Sequence, residues 1–122
     1  MFDKGMELDR HLDQLIEKVE GALLALLLDP QGIPVASAPS KPFLDPEALG
    51  ARYGLLLREL LDVSTRLLGE VRTILFDLEK ATLIALPLKD GYTLLLLLQP
   101  DGNIGRGIFE AKKAAFALEK KL

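Results

Sequence analysis

Apolar positions recur along the chain with two periods, and the switches between them mark out its elements. Leu8, Leu12, Leu15, Ile16 and Val19 fall at three- and four-residue spacing, which predicts an amphipathic helix over 6–20 ended by Gly21. Residues 22–28, "ALLALLL", are apolar without a break and short, the pattern of a strand covered on both faces. Asp29-Pro30-Gln31-Gly32 reads as a type I turn: Asp suits the first position, Pro presets φ at the second and Gly is favoured at the fourth. A return strand follows over 33–38, with Pro34 tolerated near its start or on a sheet edge. After the connector "APSKPFLDPEA", Asp45-Pro46 supplies a cap and a first-turn proline for a long helix over 46–68, closed by Gly69. Alternating segments predict strands over 71–79, 82–89 and 92–99, joined by hairpin-short links around Lys80-Ala81 and at Asp90-Gly91. Pro87 marks the point where the second of these ladders lapses. "PDGNIGRG" then breaks the sheet, and 108–122 forms a last helix with lysines in its final turn, favourable for the helix dipole. The order α-β-β-α-β-β-β-α specifies an α+β fold: a five-stranded antiparallel sheet with helices on both faces, one domain over 1–122.

The long helix carries more apolar surface than one sheet needs. Leu49, Tyr53, Leu56, Leu60, Val63 and Leu67 form one stripe, and Gly50, Gly54, Leu57, Leu61, Ser64 and Leu68 run beside it. Together they cover an arc of roughly 160°, against the ~100° that faces a core. The surplus is either extra core or the contact with another chain. On the second reading Gly50 and Gly54 admit a partner backbone, with Leu57, Leu61 and Leu68 locking it, and a two-fold copy is the economical partner. The strand over 71–79 belongs at one edge of such a meander. It alternates Ile74, Phe76 and Leu78, lacks proline and offers only Arg72 as a charge before Asp77. An edge so lightly defended is usually paired. Arg72, Ile74 and Phe76 therefore complete the expected dimer interface.

Composition narrows the chemistry. The 122 residues include no cysteine, which removes disulfides, thiolate metal sites and thiol catalysis. A net charge of −3 and 6% aromatics argue against nucleic acid as the main partner. The opening "MFDKGMELDR" lacks a signal-peptide core and the leucine runs are too short to span a bilayer, so a cytoplasmic protein without membrane insertion is expected. His11 is the single histidine, placed on the polar side of the first helix by Arg10 and Asp13, and no metal site is expected around it. Ser37, Ser40 and Ser64 have no base in sight, and Asp77 and Glu79 share a solvated strand face. The cluster Gly102-Asn103-Ile104-Gly105-Arg106-Gly107 sits where a phosphate loop would lie, but its spacing matches neither the dinucleotide fingerprint nor the P-loop. It serves better as backbone freedom at a strand-to-helix junction. No catalytic residue, cofactor or metal is assigned.

Two stretches carry a resemblance. "LLALLLDPQGIPVASA" resembles the first hairpin of roadblock/dynein light chain domains, and "PLKDGYTLLLLLQPDGNIG" followed by an Ala- and Lys-rich helix is similar to their last hairpin and Asn-x-Gly helix start. The likeness spans essentially the whole chain, including the element order of this profilin-like fold. It implies a non-catalytic homodimer with two long helices over a shared sheet. Bacterial, MglB-like members commonly partner a small Ras-like GTPase, some as activating proteins that arrange the GTPase's own residues. The resemblance thus implies a homodimeric GTPase regulator or scaffold, against the alternatives of a bridging adaptor without effect on GTP turnover and a small-ligand sensor. The expected partner-binding residues point away from the apolar arc of the long helix: Arg52, Leu55, Arg58, Glu59, Asp62 and Arg66.

Overall fold

The structure, a computed structural model, describes residues 4–122; residues 1–3, the start of the N-terminal stretch discussed above, lie outside it. The elements are α1 (Lys4–Lys18), β1 (Ala22–Leu28), β2 (Pro34–Ala38), α2 (Pro46–Leu68), β3 (Ile74–Asp77), β4 (Thr82–Pro87), β5 (Thr93–Leu98) and α3 (Ile104–Glu119). They follow the expected order, and the strands form one sheet ordered β2-β1-β5-β4-β3 with every neighbouring pair antiparallel.

The central strands explain their own composition. Leu94, Leu96 and Leu98 of β5 face a layer made by α1 and α3, while Leu95 and Leu97 face the side that carries α2. A strand covered on both faces keeps no polar side, so β5 is buried along its whole length and reads as an unbroken leucine run. The first layer is filled by Leu8, Leu12, Leu15 and Val19 of α1 with Ala111, Ala115 and Leu118 of α3. On the other face Leu57 of α2 is the fully buried helical side chain, joined by Leu49 and Tyr53.

Turn chemistry sets the corners. Asp29 Oδ1 accepts hydrogen bonds from the backbone N–H groups of Gln31 and Ile33, at 2.9 and 3.0 Å, and Gly32 closes the turn with φ +81°. Asp90 and Gly91 both take positive φ, as the mirror-image turn of a tight hairpin requires. Several boundaries differ from the sequence reading. β3 covers 74–77 rather than 71–79; at its C-terminal end the Leu78 N–H turns to the Ala81 carbonyl, starting the hairpin early. β4 and β5 stop at Pro87 and Leu98, and Pro87 indeed ends its ladder. α3 starts at Ile104 rather than 108, because the Asn103 side chain accepts from the Arg106 N–H and caps the helix.

The two sheet edges are unlike. β2 opens with Pro34, which has no N–H, and the Ser37 N–H is taken by Asp9 Oδ1 of α1 at 2.9 Å. β3 pairs only with β4 and leaves its other side open. Among the described residues no helix is long and apolar enough to cross a membrane.

Candidate protein-interaction face

α2 is 23 residues long and is pinned to the sheet near its N-terminal half. Its first turn is capped by Asp45, whose carboxylate accepts from the Glu47 N–H, with Pro46 at the first helical position. The pinning contact is between backbones. A Cβ on Gly54 would lie 2.9 Å from the Gly32 Cα, and one on Gly50 would run into the Gly32 carbonyl oxygen. The two helix glycines therefore seat α2 on the tip of the β1–β2 hairpin of its own chain.

That placement corrects the interface read from the sequence. Gly50 and Leu57, expected to face a partner, are buried within the chain, Leu57 at 2% exposure, and Gly54 and Leu61 line a cleft beside Pro30 and Gly32. At 100° per residue the two stripes look equivalent; close approach to Gly32 decides which one turns inward. The stripe left uncovered is the other one: Leu56, Leu60, Val63 and Leu67 are all exposed, and Leu68 at the helix end is 91% exposed. Beyond Leu61 no residue of α2 reaches the core, so the helix overhangs the sheet.

The helix that carries this stripe reaches the open edge through Tyr53. Tyr53, on the same flank of α2, meets Phe76 of β3 edge to face with ring centroids 5.7 Å apart. Ile74 and Phe76 are half-buried under that flank and Arg72 is exposed just before the strand. The unpaired edge of β3 and the uncovered apolar surface of α2 are thus linked through the Tyr53–Phe76 contact.

The charged residues expected to meet a different partner occupy the outer side of α2. Arg52, Glu59, Asp62 and Arg66 are exposed, and Arg66 pairs with Asp62 one turn back. Leu55 lies among them at 61% exposure. Arg58 departs from this group: its guanidinium folds back to donate to the Pro30 carbonyl over the cleft.

Among the described residues the remaining candidates lie apart from one another. His11, on the polar side of α1, is half-buried on a groove between α1 and α3 with Gln14, Lys18, Glu110 and Lys113. Asp77 and Glu79 are solvated as expected. In the glycine cluster, Gly107 serves packing: a Cβ there would stand 3.0 and 3.1 Å from Leu98 and Ile84 side chains. Among the described residues no group of three or more His, Asp or Glu could hold a metal. The cleft at the β1–β2 turn measures about 240 Å³, below the ~300 Å³ at which small-molecule pockets begin. One surface escaped the sequence reading. Arg106, Phe109, Lys113, Phe116 and Lys120 recur at three- and four-residue spacing on the exposed side of α3, a signal as regular as that of α2.

No protein-family model matches the sequence, and no curated protein matches it. Solved structures do. Myxococcus xanthus MglB superposes with a TM-score of 0.86 at 17% identity, covering 98% of this chain and 91% of that one. An MglB structure with a tetrameric arrangement gives 0.84 at 19% identity, over 99% and 91% of the two chains. A roadblock/LC7 domain from Streptomyces avermitilis gives 0.83 at 18%, over 92% and 94%. Profilin II from Acanthamoeba castellanii is similar at 0.66 and 14% identity, over 93% and 98%. With the sheet order, the two helical layers and the long overhanging helix in place, the chain has the roadblock/LC7 fold.

Proposed function

We propose that this protein is a homodimer that regulates or scaffolds a small Ras-like GTPase without catalysing a reaction itself. The observation that carries the reading is the uncovered stripe Leu56, Leu60, Val63 and Leu67 on a helix that reaches the open β3 edge through the Tyr53–Phe76 contact. A second copy is the occupant that satisfies both at once, because antiparallel pairing of β3 with its own copy brings the two α2 flanks to the same side of a joined sheet. The likeness to an MglB with a tetrameric arrangement supports self-association. Arg72, Ile74, Phe76 and Leu68 remain in this interface, whereas Gly50 and Leu57 support it from inside the fold.

The GTPase reading rests on the MglB-like resemblance together with the outer side of α2. There Leu55 sits amid Arg52, Glu59, Asp62 and Arg66, an apolar centre with a charged rim, as interfaces commonly show. Titration with a Ras-like GTPase from the same cell, loaded with GDP or a GTP analogue, tests it. Binding in at least one nucleotide state is expected, weakened about tenfold or more by Leu55→Asp. Absence of binding in both states overturns the reading. A GTP hydrolysis assay with and without the protein then separates a regulator from a scaffold.

A further inference from the structure

The outer face of α3 is built from cations and phenylalanines. Gly107, Glu110, Ala111, Ala115 and Leu118 turn inward, leaving Arg106, Phe109, Lys112, Lys113, Phe116 and Lys120 exposed. Phe109 and Phe116 are 55% and 66% exposed. Arg106 and Lys113 stand 6.0 and 5.5 Å from the Phe109 ring centre, and Lys120 stands 4.5 Å from that of Phe116. Neither carboxylate of α3 lies on this face. Glu110 is 3% exposed and held between Arg106 and Lys113 at 3.1 and 3.5 Å, and Glu119 accepts the Lys89 N–H. On neighbouring α1, exposed Arg10 and Lys18 largely offset Asp13 and Glu17, with Glu20 just beyond the helix end. The face keeps a positive excess although the chain as a whole carries −3.

We propose that this face docks the protein on anionic lipid bilayers, the lysines and arginine meeting headgroup phosphates while Phe109 and Phe116 enter the boundary with the acyl chains. Alternating cations and rings match that layered chemistry, in which charge and oil are stacked within a few ångströms. A nucleic-acid duplex offers the charge without an apolar layer, and an acidic peptide calls for a groove where α3 is convex. The dimer proposed above strengthens the contact without being required for it: pairing through β3 sets both α1/α3 layers on one side of the joined sheet, where one flat surface meets both.

The test is co-sedimentation of the full chain with vesicles of equal parts phosphatidylserine and phosphatidylcholine, against pure phosphatidylcholine, at low and high salt. The protein is expected to pellet with the anionic vesicles at low salt and to be released by high salt. Lys112→Glu with Lys120→Glu should lower vesicle affinity at least about tenfold, and Phe109→Ser with Phe116→Ser should also lower it. All four side chains are exposed, and circular dichroism checks that the variants fold. No pelleting with anionic vesicles, equal pelleting with pure phosphatidylcholine, or unchanged binding by both variants overturns the proposal. A monomeric variant that still pellets, more weakly, separates this outcome from the fate of the dimer reading.

Discussion

At the scale of single residues, glycine does two opposite jobs in this chain. Gly50 and Gly54 allow α2 to touch the Gly32 backbone, where any side chain collides with main chain rather than with a flexible tip. Gly50→Val should therefore destabilise the fold by about 3 kcal/mol or more, read as a lowered urea midpoint. Gly105, also helical, has open space around it apart from the Asn103 side chain at 3.6 Å. Gly105→Ala should raise stability by about 0.5–1 kcal/mol in the same measurement. The sequence shows both as glycines on helices and cannot separate them, because the difference lies in what packs opposite. The turn residues were legible for the converse reason. Asp29 and Asp90-Gly91 act through hydrogen bonds and φ values set within a few residues.

At the scale of elements, periodicity placed every helix and strand, since covering a sheet on one or both faces leaves its signature in the local pattern. It could not orient α2, whose two stripes are separated by a rotation too small for periodicity to resolve. The choice depends on the β1–β2 hairpin tip, a contact distant in sequence. Asp at Leu57 would break the core, whereas Leu60→Asp with Val63→Asp alters surface left open by the chain itself. The double variant should sediment as a monomer at micromolar concentration where the parent is a dimer, with its helix and strand content unchanged by circular dichroism. A parent that is itself monomeric there removes the basis for a shared sheet. The α3 face was legible as a periodic row of cations and rings, but its charge was not: α3 ends at Glu119, so its last turn holds no lysine for the helix dipole, and the structure shows that the intervening carboxylate, Glu110, turns inward.

At the scale of the whole molecule, the two helical layers divide the surface into unlike sides: an apolar, overhanging helix over one face of the sheet and a cationic, ring-bearing helix over the other. The two lateral borders of the sheet differ as well, and that difference governs how many chains can join. On one border Asp9 occupies the Ser37 N–H and Pro34 withholds one altogether; on the other the backbone of β3 is free. Asp9→Ala should leave the fold intact but add species larger than the parent assembly in light scattering, because it reopens a border that the native chain keeps shut. A ribbon grows only from units that are adhesive at both ends. In the dimer proposed above the adhesive end is β3 and the β2 border is the stopper, so lateral joining would end once two copies have met, with α1, besides filling the core, holding the second border shut.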